Sequence, residues 1–506
     1  MPPTATATAT ATEVDEKLDE TLDETLDEKA VPQAAEPALR DQPPTEGSAA
    51  RSGRPRPAAV EHPDRRADYV EDFAAFAGGR PAGEPAWVAE LRRRAIDRFA
   101  EIGFPHLRQE QWRKTDVRPV SQHPFRRATG AGSVEETALA PHVFDGAAQL
   151  VFVDGFFSRA LSAFDGLPEG VRVGSLAAAL EEVPELAEAH LGRHAGFDDH
   201  PFVALNTAFF ADGALVHLPR NAVVERPIHL VFLSTAGPEG AEPPVSYPRL
   251  LVVAEEASRA TVVETWAGAG EDARYLTCPV AEVVLGPGAV VDHYKVQHES
   301  VEAYHLSTLQ VRQDRDSSFF SHAVSTGGAI CRNDVNGVLA EPGCECTLNG
   351  LYLVRGEQLV DNHMRIDHVA PHCNSYELYK GVLDGKARSV FNGLIHVHPG
   401  AQKTDAKQSN RNLLLSRGAL ASSNPQLEIF ADDVRCTHGS TVGQLDDEAV
   451  FYLRSRGIGE AAAKSLLTYA FASDIVGRIK IEPVRRDLEE LLFARLPRGE
   501  VVRQAV

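Results

Sequence analysis

The stretch VLDGKARSVFNG, residues 382–393, sets a short apolar run on either side of the turn-forming DGKA. Such a pattern reads as strand, corner, strand: Asp and Gly supply the backbone freedom of a tight turn, and the β-branched and aromatic residues fit a pleated surface. The same phrase recurs between about 248 and 443, as VVAEEASRATVVE, VVLGPGAVVDHY, VRQDRDSSFFSH, VLAEPGCECTLNG, DHVAPHCNSYELY, HVHPGAQKTDA, LLSRGALASSNPQL and FADDVRCTHG. Aligned at their turns, these segments place Ala257, Ala289, Ser317, Cys344, Cys373, Ala387, Ala401, Ala419 and Val434 at recurring intervals. The intervals approximate one or two units of about 14 residues, the mark of a repeat.

Two architectures compete for such a pattern. An antiparallel sandwich wants a ladder of two-residue hairpin turns. Asn349-Gly350, Asp384-Gly385 and Asn392-Gly393 are candidates, but they form no orderly series. A solenoid wants small residues at corners and short strands that bury one another coil upon coil, which is what the segments offer. The expected core is therefore a parallel β-helix over 215–443.

The flanks have a different period. PAWVAELRRRAIDRFAEIGF sets Trp87, Leu91, Ile96 and Phe99 on a helical spacing that ends at Gly103, and the reading from Tyr69 to about Leu191 is largely helical. Beyond Gly443 the helical period returns, first in DDEAVFYLRSRG, with acids in its first turn and arginines in its last. The apolar GEAAAKSLLTYAFASDIVGRI follows, and EPVRRDLEELLFARL opens with Pro483 near its first position. The expected domains are an acidic low-complexity tail over 1–66, a helix-rich N-terminal domain over 67–214, the β-helix over 215–443 and a C-terminal helical domain over 444–506. The tail, with its ATATATATAT and LDET repeats, holds too few large apolar groups to offset the entropy of ordering and is expected to be disordered.

Composition excludes several functions. With 72 acidic against 51 basic residues the formal charge is −21, which repels a nucleic-acid backbone. No segment approaches the roughly 18 consecutive apolar residues of a membrane span, and the start lacks the basic flank and apolar run of a secretory signal. A cytoplasmic protein with neither nucleic acid nor membrane as partner is expected. The six cysteines show no CxxC pair and read as reduced thiols. No GxxxxGK[ST], HExxH or GxSxG motif occurs, so the chain is expected neither to bind a nucleotide nor to act as an enzyme by itself.

Cys436 and His438 stand at i and i+2 in DDVRCTHGSTVG, so on an extended segment they share a face about 6–7 Å apart. They could approach one metal or cluster, or lie in the last turn of a core. Two ligands do not complete a metal site, so others would come from a distant segment or another chain. His396 and His398 also share a face, as do Cys344 and Cys346, whereas His372 and Cys373 point to opposite faces. The C-terminal Leu466, Leu467, Tyr469 and Phe471 serve either a partner or packing on the β-domain.

FPHLRQEQWRKTDV, FVALNTAFFADGALVHLPRNAVVERPIHLVF, NGLIHVHPGAQKTDAKQSNRNLLLS and NPQLEIFADDVRCTHGSTVGQLDDEAVFYLRSRGIGEAAAKSLLTYAF together resemble the SufD subunits of SUF iron-sulfur cluster assembly systems, over roughly residues 85–495. The resemblance implies a mainly β fold, a right-handed parallel β-helix flanked by N- and C-terminal helical domains. It implies a heterodimer with SufB through the β-helices and docking of the ATPase SufC on the C-terminal helices, where Tyr452, Arg456, Leu466, Leu467, Tyr469 and Phe471 are the expected contacts. It places the cluster-associated histidine on His438, with Cys436 as its neighbour, so that iron or a nascent iron-sulfur cluster is shared with SufB. The function implied is that of a non-catalytic scaffold subunit. SufB-like chains carry a cysteine near the position of Asn410 and an acid directly after the interface histidine. This sequence has Asn410 and Gly439 there, which favours SufD over a SufB-like paralogue. Two further alternatives are a stand-alone β-helix enzyme and a metalloprotein using His396, His398 and His438.

Overall fold

The structure, a computed structural model, describes residues 64–80, 83–238, 240–270 and 272–505. The tail expected over 1–66 lies outside them apart from its last three residues.

Strand pairing decides between sandwich and solenoid. Ser318–Ser325 pairs in parallel with Glu345–Val354, and that strand with Asn374–Leu383, then Asp405–Leu414, then Arg435–Gly443. The intervening strands Ile330–Leu339, Leu359–His368, Arg388–Val397 and Leu420–Ile429 build a second parallel sheet in the same way. Ser318, Glu345, Asn374, Asp405 and Arg435 share one register row, so each coil runs from one of these positions to the next. Each coil gives one strand to each sheet, which is why the sequence intervals fall near one repeat unit or two. The core is a parallel β-solenoid with helices at both termini.

One corner explains several of the small marker residues. Ala257, Gly288, Asp316, Gly343, His372 and Lys403 occupy the same corner of successive coils, all in left-handed backbone with φ between 55° and 82°. The next residue in each coil is small and turned inward. Ser258, Ser317, Cys344 and Thr404 each donate to the carbonyl three residues back, at 2.6, 2.6, 3.0 and 2.8 Å. A buried corner must satisfy its own carbonyls, and short polar side chains do so without breaking the stack. Cys344 and Cys373 belong to this row, and all six cysteines are free thiols.

The strands are apolar on both faces over much of their length, because one face lines the lumen and the other is covered. On the outside of the sheet that contains Glu345–Val354, the side chains of Val263, Tyr294, Val324, Leu351, Leu353 and Val382 pack against Ile475, Val476, Leu488 and Leu492 of helices Glu460–Val476 and Glu482–Arg495. The other sheet's outer face, with Val280, Tyr304, Leu306 and Ile330, is covered by helix Pro201–Phe209 and by Trp112.

The reading of Tyr69 to about Leu191 as largely helical needs correction. Ala148–Val153 is a buried strand, parallel to Ile228–Ser234, and Phe156–Ala163 returns antiparallel to it through Asp154 and Gly155. Both turn residues have positive φ, 50° and 87°. So short an apolar run has no period to distinguish helix from strand, and the Asp-Gly pair is the signal that separates them. Arg172–Ser175 adds a further antiparallel strand beside Gly213–Leu218.

A buried charge network joins the N-terminal segment to the coils. Arg332 donates to Asp361 at 2.6 Å, to Asp334 at 2.7 Å and to the Gln111 carbonyl at 2.9 Å, and its guanidinium lies 3.7 Å over the Trp112 ring. His200 stands 3.2 Å from Asp334, and Thr115 donates to Asp361. QEQWRKTD is thus a structural latch.

Candidate functional site

The last coil sets the site. Arg435–Gly443 pairs with Asp405–Leu414 in a register that aligns Cys436 with Ala406 and His438 with Gln408. Ala406, Gln408, Asn410 and Asn412 are the buried, lumen-facing positions of their strand, and register partners share a face. Cys436 and His438 therefore belong to the lumen face of the final rung. Among the described residues no further coil covers that rung, so Cys436 is half-buried and His438 exposed. Cys436 packs with Ile395, Val397, Leu427 and Val434.

Beneath His438 the row continues downward through Gln408 to Glu377. Gln408 Nε2 donates to Glu377 Oε2 at 2.8 Å, while Glu377 Oε1 and Gln408 Oε1 have no hydrogen-bond partner. A side chain at Gly393 would collide with the Gln408 amide, so the glycine makes the space this row occupies. Burial raises the Glu377 carboxyl to about 7, with the Gln408 amide opposing it. An acid at a lumen position of NSYELYKGVL is the sequence signal for it, since alternation otherwise places apolar and small groups there. Sequence reasoning did not single it out.

Where SufB-like chains are expected to carry a cysteine, Asn410 is fully buried and satisfied. Its Nδ2 donates to the Tyr352 hydroxyl at 3.0 Å and its Oδ1 accepts from Asn412 at 2.7 Å. Burial, then the Asp405 carboxylate, raises the Cys436 thiol above its ordinary value. Cys436 thus holds its proton at neutral pH until a metal or a base removes it.

The other candidates separate. Cys344 lies in the corner row, and its hydrogen bond with Cys373 and its burial push its thiol up. Cys346 lies in the lumen, buried. His396 and His398 lie on the outer face of the opposite sheet, next to Asp367, and His438 is not part of that cluster. The metalloprotein reading that joined all three histidines is corrected accordingly, because Arg388–Val397 and Arg435–Gly443 belong to opposite sheets of the solenoid.

On the C-terminal helices, Tyr452 and Arg456 are exposed and paired, with Arg456 donating to the hydroxyl at 2.8 Å and lying 4.7 Å over the ring. Leu466 and Leu467 are half-buried. Tyr469 stacks on Phe493 at 5.2 Å, and Phe471 receives Lys380 Nζ 5.0 Å over its ring, so both contribute to packing. Phe451, which sequence reasoning passed over, is 70% exposed beside Tyr452. Successive residues of a helix lie about 100° apart, and on Asp447–Ser455 the inward position is taken by Val450, which leaves both Phe451 and Tyr452 facing solvent.

Residues 235–471 match the family model for the SufBD core domain of SUF-system iron-sulfur cluster assembly, and residues 64–230 match the SufBD N-terminal region. The chain belongs to the SufBD family. It is 32% identical over 421 residues to an iron-sulfur cluster assembly SufBD family protein of Synechocystis, covering 81% of this chain and 92% of the relative. It is 30% identical over 405 residues to the iron-sulfur cluster assembly protein SufD of Escherichia coli, covering 80% and 92%, and 26% identical over 426 residues to SufD of Bacillus subtilis, covering 81% and 94%. This SufBD-family chain is SufD-like, and the solenoid end that carries Cys436 and His438 falls inside the matched core. Among the described residues no helix is long and apolar enough to cross a membrane.

Proposed function

We propose that this SufBD-family assembly protein is the SufD-type subunit of a cytoplasmic SufBCD complex, pairing with SufB through the open end of its solenoid. The observation that carries the reading is that end. Two neighbouring edge strands, Leu420–Ile429 and Arg435–Gly443, expose Leu420, Ile429 and Val442 and offer unpaired backbone to another sheet. Folded chains ordinarily blunt such edges, so one left open beside a Cys-x-His pair fits a heterodimer contact.

In this reading His438, with Cys436 beside it, faces SufB and supplies part of the ligand set that one chain lacks. Iron or the nascent cluster is cargo shared across the contact. A neutral imidazole and a thiolate both suit iron. The subunit does no catalysis of its own and binds no nucleotide. SufC docks on the C-terminal helices around Phe451, Tyr452 and Arg456, which leave aromatic surface exposed, and it hydrolyses the ATP.

The test is co-expression with SufB and SufC, comparing wild type with His438→Ala. The expected result is an intact complex from which iron and sulfide recovery falls at least about tenfold, the scale of one lost ligand or its support. A wild-type chain that joins no complex, or a variant that recovers iron and sulfide unchanged, overturns the reading.

A further inference from the structure

Three metal-ligating groups meet on the outer face of the solenoid, away from the lumen face of His438. Asp367 and His396 are register partners on adjacent parallel strands, and His398 follows two residues later. His396 Nδ1 lies 2.8 Å from Asp367 Oδ1, and His398 Nε2 lies 3.6 Å from the same oxygen. The two imidazole rings stand 4.4 Å apart, and all three ligand atoms fall within 4.8 Å of one another. Metal-ligand bonds of about 2.0–2.2 Å put two ligands of a tetrahedral ion roughly 3.3–3.6 Å apart. The carboxylate–histidine separations of 2.8 and 3.6 Å fall just below and at the edge of that range and the remaining one is no more than 4.8 Å, so an ion is admitted by side-chain adjustments of about 0.5–1 Å, within rotamer reach.

The surroundings are those of an oriented site. Arg365 grips Asp367 with Nε to Oδ2 at 2.8 Å, a contact that orients the carboxylate as an outer partner does, while its NH2 stands 2.9 Å from Oδ1 and 3.3 Å from His396 Nδ1 and must swing off those two atoms when an ion enters. The Phe430 ring meets His396 edge-on at 5.6 Å. Glu428 stands in register with His396 on the edge strand, extending the row Asp367, His396, Glu428 toward the open end. The His398 side chain is 38% exposed, leaving an approach from solvent.

We propose that Asp367, His396 and His398 bind one first-row divalent transition ion, of the Fe²⁺ or Zn²⁺ class, in a two-histidine, one-carboxylate site with open coordination positions. Two imidazoles and a carboxylate suit these borderline ions, whereas Mg²⁺ and Ca²⁺ want oxygen ligands only and Cu⁺ wants sulfur. Three protein ligands leave room for water or an incoming group. The site belongs to this chain alone, so it stands or falls separately from the pairing with SufB.

The experiment titrates the chelator-stripped full-length chain, without partners, with Co²⁺ read by its visible d–d absorption and with Zn²⁺ read by calorimetry. One equivalent is expected to bind, with affinity falling at least about tenfold in each of His396→Ala, His398→Ala and Asp367→Asn. His398→Ala is the decisive variant, because its exposed ring carries little packing; a melting curve confirms its fold. Absence of stoichiometric binding, or binding unaltered by His398→Ala, overturns the site and leaves an ion-paired Arg365, Asp367 and His396 cluster. Loss in His438→Ala with retention in His398→Ala would move the ion to the lumen end and also overturns it.

Discussion

The two ends of the solenoid are built from the same parallel strands and finished in opposite ways. At the first end, Ala148–Val153 covers Ile228–Ser234 and is itself covered by antiparallel Phe156–Ala163, while Arg172–Ser175 closes the other sheet beside Gly213–Leu218. Almost every side chain of Ala148–Val153 is buried. At the last end, all but one residue of Arg435–Gly443 is exposed, and nothing among the described residues pairs beyond it. A stack whose strands bury one another needs a cap at each terminus. Under the pairing proposed above, the missing cap is supplied by a partner, so that the closed end serves stability and the open end assembly.

The largest expected effect lies in the closed half. Arg332 is the only cation hydrogen-bonded to both Asp334 and Asp361 among the described residues, and all three side chains are buried or nearly so. Arg332→Ala takes the guanidinium from two buried carboxylates, leaving Asp334 with His200 and Asp361 with Thr115 and His363, and releases the Trp112 latch, with an expected loss of about 3–5 kcal/mol of stability. Urea unfolding monitored by circular dichroism measures it. A loss below about 1 kcal/mol, the size of an ordinary surface contact, would show that the N-terminal latch does not hold the coils and would remove the stability half of the comparison.

A second effect sits between the ends, at Glu377. Its folded carboxyl, raised to about 7 by burial from an ordinary 4.5, keeps a proton that the unfolded chain releases. The folded state binds more protons through that window, so this group's contribution to stability falls as pH rises from about 4.5 to 7. Glu377→Gln removes the ionisation while keeping an amide that can meet Gln408. It is expected to match wild type near pH 4 and to exceed it by about 3 kcal/mol at pH 8. Urea midpoints taken across that range check the prediction. A constant difference at all pH values would place the effect in packing and deny that the lumen below His438 holds a neutral acid.

How much of this was legible depends on distance along the chain. The corner residues carried the repeat, because the solenoid demands a left-handed residue and a small inward one once per coil, and both leave marks in sequence. The i, i+2 geometry of Cys436 and His438 likewise follows from strand pleating alone. What the sequence could not show was which coil comes last and which residues share a rung. Asp367 and His396 are a full coil apart along the chain and meet only through register. Glu377 lies below His438 only because the corners between them hold the register through two successive coils of unequal length. The short strand Ala148–Val153 was hidden for another reason: its burial on both faces erases the alternation that identifies a strand.

The smallest expected change in stability tests the open end most sharply. Leu420 and Val442 are 58% and 48% exposed on the two edge strands, where a buried-core penalty cannot apply. Leu420→Asp with Val442→Asp should therefore leave the chain's own stability within about 0.5 kcal/mol of wild type. Two carboxylates placed on a sheet edge would nevertheless have to be desolvated against a docking strand, which costs several kcal/mol without a partner charge. Association with SufB is expected to weaken at least about a hundredfold, read by sedimentation or by co-purification at matched concentration. If the double variant pairs as wild type does, the exposed rung is not the contact, and the asymmetry of the two ends must be explained without a partner. If instead the variant unfolds, the final coil owes its order to its own edge side chains, and the open end is as much a part of the core as the closed one.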